Sequence, residues 1–283
     1  MKKILLLGSS GLVAHYLIPS LKKLDSSYEF LGQSVTNLPE HEIDNFKAPS
    51  SDLEIFDEKI KQFSPDLIVN MTRGEDQDGL NLHRFLIESC NNTNTHYTYF
   101  SSFNAVDANL ESEHDEDEAP NSQTEYGQFK AQCESELTSK SNNFSIFRFG
   151  ATHGWAPNTI SRTETFLEHM LSGESMSVDT GIIQNRLATN HLADMMAAVI
   201  HKRGEGVFHF GAVDGSEEID FLKDLAESFG HPREQIIKGE ENPCNALMIP
   251  ERTLNLIGKE YEKTEADTIS AIRHMIRLSQ YIL

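Results

Sequence analysis

Two residues four positions apart, Tyr126 and Lys130, are the strongest candidates for chemistry in this sequence. On a helix, residues at this spacing share one face. A nearby ammonium favours the phenolate form of a tyrosine, and this shift brings its ordinary pKa of ~10 closer to the range in which it exchanges protons at neutral pH. The spacing by itself is common in helices without any chemistry, so the pair needs support from other residues.

A third candidate is Ser102, which follows a predicted strand at 97–100. Ligands bind at the carboxyl edge of parallel sheets, where such a residue would lie. Its hydroxyl is suited to hydrogen-bond a carbonyl oxygen, although a serine after a strand is more often a turn former. Because Ser102 and the Tyr126 and Lys130 pair follow consecutive strands, we predict that these three residues form one catalytic site.

A glycine-rich turn near the start of the chain predicts a phosphate site. The turn lies between an apolar run at 4–7 and a helical pattern that begins at Val13. Glycines let the backbone approach a pyrophosphate, and the following helix supplies N–H donors. The residues predicted to hold the pyrophosphate of a dinucleotide are Gly8, Ser10, Gly11, Leu12 and Val13.

The residues after the second predicted strand favour one dinucleotide over the other. Gln33 and Ser34 occupy the stretch where a carboxylate would bind the ribose of NAD and repel a 2′-phosphate. No carboxylate is present and Ser34 can donate to a phosphate, so we expect NADP(H), with NAD(H) as the alternative. Further predicted cofactor contacts at the ends of other strands are Asn70, Met71, Thr72 and Phe149, together with Tyr126 and Lys130.

The elements that must position these residues alternate between strand and helix. Apolar runs predict strands at 4–7, 28–31, 66–70, 97–100, 144–149 and 207–210, and helical spacing predicts helices at 53–63, 80–90, 126–137, 163–171, 191–201, 219–229 and 266–281. This alternation predicts an α/β protein with a Rossmann-type doubly wound parallel sheet and a smaller C-terminal α/β substrate lobe. We expect the dinucleotide-binding domain at 1–154 and 183–213, and the lobe at 155–182 and 214–283.

Composition excludes several classes of protein. The chain has 283 residues, of which 38% are hydrophobic, and a formal net charge of -20, which would repel nucleic acid and anionic lipid. No run approaches the roughly 20 apolar residues of a membrane span, and three scattered cysteines form neither a disulfide framework nor a metal motif. We therefore expect a cytoplasmic protein without a metal. The acidic run 111–118 reads as a solvated loop, with a weak divalent-ion site as the alternative.

With these motifs in place, the chain resembles the extended short-chain dehydrogenases, and most closely the dTDP-4-dehydrorhamnose reductase branch of the NAD-dependent epimerase/dehydratase superfamily. Five segments carry the resemblance in the family's order: 65–70, 100–102, 126–130, 147–150 and 206–210. It implies reduction of a nucleotide-activated 4-keto-6-deoxy sugar in the synthesis of cell-surface polysaccharide precursors. In that reaction Tyr126 would protonate the alkoxide, Ser102 would orient the carbonyl, and Asn81 would match a supporting asparagine.

The departures from the family bear on the substrate. Phe103 and Asn104 stand where dehydratases have their carboxylates, and Ala151 replaces an expected tryptophan, which leaves Trp155 as the substitute. The diphosphate would bind to Arg186, whose alternative role is an ordinary ion pair, and to the segment 242–245. The predicted substrate contacts are Ser102, Phe103, Asn104, Tyr126, Trp155 and Arg186. A nucleotide-sugar epimerase and a non-catalytic dinucleotide-binding regulatory subunit stay open as alternatives, as does a homodimer.

Overall fold

The computed structural model describes residues 2–39, 41–157 and 159–276. Within these ranges the strands are β1 (Lys3–Leu7), β2 (Glu29–Ser34), β3 (Asp44–Lys47), β4 (Leu67–Asn70), β5 (His96–Phe100), β6 (Phe144–Phe149), β7 (Thr152–His153), β8 (Met176–Gln184), β9 (Leu187–Ala188), β10 (Gly206–Phe210), β11 (Ser216–Glu217) and β12 (Ile236–Ala246). The α-helices are α1 (Leu12–Leu24), α2 (Leu53–Phe63), α3 (Gln77–Thr93), α4 (Glu125–Lys140), α5 (Arg162–Ser172), α6 (Thr189–His201), α7 (Glu218–Ser228), α8 (Glu251–Ile257) and α9 (Glu265–Ile276). The last residues of the helix predicted at 266–281 lie outside the described ranges.

Seven parallel strands form the central sheet, in the order β10-β6-β5-β4-β1-β2-β3. From β1 the chain moves outward through β2 and β3, then returns to β4 on the other side of β1. The strand order therefore reverses between β1 and β4, and a crevice opens there at the carboxyl ends of the strands. This topology confirms the predicted Rossmann-type α/β fold.

Helices cover both faces of the sheet, as the near-continuous apolar strands require. In β1, Ile4 and Leu6 pack into one cluster with α1 and α6, whereas Leu5 and Leu7 pack into the other with α2 and α3. The strand β3 was not predicted, because its sequence Asp-Asn-Phe-Lys has a single apolar residue at the edge of the sheet.

A second sheet has three strands in the order β11-β8-β12. Residues of this sheet pack with α5 and α7 into a separate apolar cluster. These elements fall mainly in the ranges predicted for the substrate lobe. Helix α8 also falls in that range, yet its Ile257 packs in the cluster of α1 and α6. The division of the chain into a dinucleotide-binding domain and a substrate lobe is therefore a proposal.

The acidic run is not simply a solvated loop, because Glu116 and His114 within it are buried. The Glu116 carboxylate accepts the backbone N–H groups of Arg252, at 3.2 Å, and Thr253, at 3.1 Å, in the first turn of α8. Burial raises the pKa of Glu116, while these N–H donors oppose the increase. Among the described residues no group of three or more His, Cys, Asp or Glu side chains could hold a metal ion, and no helix is long and apolar enough to cross a membrane.

A buried chain of hydrogen bonds ties α3 to the sheet and to α4. His83 Nε2 lies 2.9 Å from the Cys133 carbonyl oxygen, to which it must donate, so its Nδ1 accepts from the Tyr97 hydroxyl at 2.9 Å. Tyr97 in turn accepts from Asn70 Nδ2, also at 2.9 Å. Burial lowers the pKa of His83 to about 4, which keeps the imidazole neutral and this chain of donors intact.

We expect this histidine to make the fold less stable in mild acid. The unfolded chain binds a proton at His83 below pH ~6.5, whereas the folded chain does not until pH falls to about 4. The free energy of unfolding should therefore decrease as pH falls through this window, by up to about 1.4 kcal/mol per pH unit for this site. Urea unfolding at several pH values gives the dependence of the free energy of unfolding on pH. The slope of this dependence should be shallower by this amount in His83→Gln than in the wild type. The matched control is His274→Gln, on the exposed side of α9, which should keep the wild-type slope. Equal slopes in all three proteins would contradict the assignment.

Candidate active site

The predicted catalytic residues converge at the carboxyl edge of the central sheet. Tyr126 and Lys130 lie one turn apart on α4, and Ser102 follows β5. The Lys130 side chain is buried, and its Nζ donates to the Phe100 carbonyl oxygen at 3.1 Å. The same Nζ lies 5.7 Å from the centre of the Tyr126 ring and 4.9 Å from that of Tyr99. The hydroxyl, phenol and ammonium therefore face one crevice.

The electrostatics of Tyr126 differ from the sequence-based expectation. Burial is the largest effect and raises the pKa of Tyr126, whereas a hydrogen bond with the Ser102 side chain lowers it. Burial also lowers the pKa of Lys130. A phenol that keeps its proton near neutral pH is suited to donate that proton to an alkoxide. The groups that favour its ionised form are the Ser102 side chain and, to a smaller extent, the Arg73 charge.

Close packing holds α4 against the segment after β5. A Cβ on Gly127 would lie 2.0 Å from Ser122 Oγ and 2.2 Å from the Asn104 carbonyl oxygen, so only glycine permits this approach. Farther along the helix, Glu134 forms a buried ion pair with Arg148 of β6 at 2.6 Å. Contacts at the start and in the middle of α4 therefore fix the position of Tyr126 and Lys130 relative to the sheet.

The glycine-rich turn has the geometry of a phosphate cradle. Gly8 has a φ of +78°, and a Cβ there would lie 3.0 Å from the Met71 carbonyl oxygen. Gly11 is the N-cap of α1, and no side chain caps the first N–H groups of the helix. Uncapped donors and the positive end of the helix dipole suit a pyrophosphate, so the residues present fit a dinucleotide.

A cleft of about 940 Å³ connects this turn to Tyr126 and Ser102. Of its lining residues within the described ranges, three are cationic, Arg73, Lys130 and Arg162, and none is an aspartate or glutamate. In a chain with a net charge of -20, this lining is an exception that favours anionic ligands. The predicted residues that line it are Gly8, Ser10, Gly11, Leu12, Val13, Ser34, Met71, Thr72, Ser102, Phe103, Asn104, Tyr126, Lys130 and Phe149.

Four residues predicted for the site do not line the cleft: Asn70, Trp155, Asn81 and, as described in the next paragraph, Arg186. Asn70 is buried beneath the cleft, where its Oδ1 accepts the Thr72 backbone N–H at 3.1 Å. Trp155 packs against the cluster of α5 and α7, and its carbonyl oxygen accepts from the Tyr16 hydroxyl. Asn81 is exposed on α3 and bonds to Gln77 at 2.9 Å. None of these three side chains lines the cleft.

The structure contradicts the prediction that Arg186 binds the diphosphate of the substrate. It is fully buried between Glu218, at 2.6 Å, and Glu265, at 2.7 Å, and its guanidinium stacks on the Phe221 ring at 4.6 Å. Two carboxylates already neutralise its charge, so Arg186 has the ion-pair role that was given as the alternative. Its guanidinium is therefore not available to a diphosphate. Sequence reasoning instead missed Arg73 and Arg162, although the segment 242–245 does reach the cleft through Cys244.

A doubly wound sheet with a glycine-rich turn and a Tyr-Lys helix at its carboxyl edge defines a Rossmann protein of the short-chain dehydrogenase type. Within that class, the chain belongs to the RmlD substrate binding domain family, which matches residues 1–253. This match confirms the resemblance to the dTDP-4-dehydrorhamnose reductase branch. No curated protein matches the sequence significantly.

Three solved structures with the same fold are 15–18% identical to this chain. The WbmH enzyme of Bordetella bronchiseptica in complex with NAD+ is 18% identical, with a TM-score of 0.81 over 98% of this chain and 99% of that chain. A dTDP-4-dehydrorhamnose reductase from Bacillus anthracis in complex with NADP is 15% identical, with a TM-score of 0.80 over 96% and 99%. A UDP-glucose 4-epimerase from Thermus thermophilus with NAD is 16% identical, with a TM-score of 0.80 over 98% and 99%.

We expect Gly8→Ala to abolish dinucleotide binding. A non-glycine residue at its positive φ costs about 1–2 kcal/mol, and the added Cβ also presses on the Met71 carbonyl and displaces the turn. Gly173→Ala is the matched control, since Gly173 has a similar φ of +76° but open space around it. Both variants should lose stability in urea, Gly8→Ala more because of the added contact, while only Gly8→Ala should lose NADPH affinity in a fluorescence titration. Equal NADPH affinity in the two variants would place the site elsewhere.

Proposed function

We propose that this protein is an NADP(H)-dependent oxidoreductase that reduces the keto carbon of a nucleotide-activated sugar. The observation that carries the proposal is the meeting of Ser102, Tyr126 and Lys130 in one cleft with the glycine-rich turn. Membership of the RmlD substrate binding domain family supports it. So does the fold shared with enzymes whose structures contain NAD or NADP.

The residues of the chain divide the work of the reaction. When bound, the reduced nicotinamide supplies a hydride to the carbonyl carbon. Ser102 donates a hydrogen bond to the carbonyl oxygen and orients it, and Tyr126 transfers its phenolic proton to that oxygen as negative charge develops. The Ser102 hydroxyl also stabilises the tyrosinate that remains, and the proposed role of the buried Lys130 ammonium is to bind the nicotinamide ribose.

For the substrate, we propose a 4-keto-6-deoxy sugar of the kind used in cell-surface polysaccharide precursors, handled in the cytoplasm. The dTDP-4-dehydrorhamnose reductase among the structural neighbours supports this choice. Dehydration is disfavoured, because Phe103 and Asn104 line the cleft after Ser102 and offer no carboxylate for acid-base chemistry. With Arg186 committed to its ion pairs, Arg162 at the start of α5 is the proposed ligand of the sugar's diphosphate.

Epimerisation is the second candidate, since a UDP-glucose 4-epimerase matches the fold as well as the reductase does. An epimerase returns the hydride to the sugar, so its cofactor is not consumed. Incubation with NADPH and a dTDP-4-keto-6-deoxy sugar separates the two activities by absorbance at the nicotinamide band. Stoichiometric loss of NADPH supports reduction. A separate incubation with UDP-glucose and NAD+ tests epimerisation, which would invert the C4 hydroxyl of the sugar without net formation of NADH.

We expect Tyr126→Phe to lower turnover by about 100- to 10,000-fold, because the alkoxide loses its proton donor. NADPH affinity should stay within about twofold, since the phenol hydroxyl acts on the substrate. Tyr261→Phe, in a half-buried tyrosine away from the cleft, is the matched control and should keep full activity. Initial rates of NADPH oxidation measure both. Unchanged turnover in Tyr126→Phe would contradict the mechanism, and an absence of turnover in the wild type would favour a non-catalytic dinucleotide-binding subunit.

A further inference from the structure

The segment after the second strand lacks the positive charge that would favour NADP over NAD. The stretch after β2 contains no arginine or lysine, and Lys47 is the only one between Lys23 and Lys59. In the sheet, β3 pairs with β2 so that Lys47 lies beside Ser34. The fold therefore brings a single positive charge to the position where dinucleotide-binding folds distinguish NAD from NADP.

Other side chains at this position are already engaged. Gln33 is buried, and its amide accepts the Gly8 N–H at 3.1 Å and donates to the Ala48 carbonyl oxygen at 2.6 Å. Its role is to hold the glycine-rich turn against the sheet. Ser34 Oγ accepts from Asn45 Nδ2 at 3.0 Å, and its own proton stays available for a ligand. Ser34 and Thr36 line the cleft, but neither carries charge.

Lys47 adds that charge at the rim formed by Thr36. Its Nζ donates to the Thr36 carbonyl oxygen at 2.8 Å, and the side chain is exposed. An ammonium has three donors, so two stay available beyond this bond. Asp44, the acidic residue of the same strand, pairs with Leu31 at the opposite end of β3, about 10 Å away along the strand. Lys47 itself does not line the cleft, but it places a positive charge beside two residues that do, Ser34 and Thr36.

We propose that Lys47 is the specificity-determining residue for the cofactor and binds the 2′-phosphate of NADP(H) together with the Ser34 and Thr36 hydroxyls. This inference rests on the proposed function, since it assumes that the cleft binds a dinucleotide. A charge-assisted hydrogen bond to a partly exposed phosphate favours NADPH over NADH by about ten- to a hundredfold. In this proposal Lys47 lies on the side of the glycine-rich turn where the adenosine ribose binds. It therefore contributes nothing to the pyrophosphate and nicotinamide contacts that the two cofactors share.

Binding titrations of NADPH and NADH to the full chain test this inference. The wild type should bind NADPH at least about tenfold more tightly than NADH. Lys47→Met should weaken NADPH binding by about ten- to a hundredfold and leave NADH binding unchanged. Lys47→Arg, which keeps the charge, should retain the preference. Lys61→Met removes an exposed lysine of α2 and is the matched control, with both affinities unchanged.

Adenosine 2′,5′-bisphosphate and AMP, which differ only in the 2′-phosphate, give a second readout that does not involve the nicotinamide. The first should bind more tightly to the wild type, and the difference should disappear in Lys47→Met. Equal binding of NADPH and NADH to the wild type, or an equal loss of both in Lys47→Met, would overturn the role of Lys47 and leave the proposed function standing. If neither NADPH nor NADH binds to the protein, both the proposed function and this inference are overturned.

Discussion

The ammonium of Lys130 is a positive charge held in the protein interior, and the candidate site depends on where it is held. Only 5% of the residue is exposed, and the contacts of its Nζ in the described part of the chain are one carbonyl oxygen and two aromatic rings. Burial of an ammonium costs several kcal/mol unless it is well compensated. Methionine would fit the same space without that cost, and this is a reason to propose a chemical role for the lysine.

The surrounding structure keeps this charge in register with Tyr126. The glycine contact at the start of α4, the His83 bond to the Cys133 carbonyl and the buried Arg148–Glu134 pair all act on the one helix that carries both residues. Rigid support of this kind is what proton transfer needs, since small displacements of a donor reduce its efficiency. The polar residues beneath the cleft, Asn70 and Tyr97, therefore belong to the support of the site and not to its lining.

Much of the fold and of the site was predictable because the signals are local. Strand, turn and helix follow one another at Gly8, and the spacing of Tyr126 and Lys130 fixes their common face before any tertiary contact is known. Arg186 and Glu116 could not be assigned, since their partners lie far along the chain: Glu265 pairs with Arg186, and the backbone of Arg252 and Thr253 surrounds Glu116. Lys47 escaped notice for a similar reason, because the edge strand that carries it has no apolar pattern.

The central claim is that Tyr126, Ser102 and Lys130 surround the reactive end of a bound nicotinamide. A crystal structure of the protein with NADP+ tests it most directly. The account predicts the pyrophosphate at the glycine-rich turn, the nicotinamide ring beside the Tyr126 hydroxyl, and Lys130 Nζ within hydrogen-bond reach, about 3 Å, of the nicotinamide ribose. A dinucleotide bound with its nicotinamide away from these three side chains, or excluded from the crevice, would contradict it.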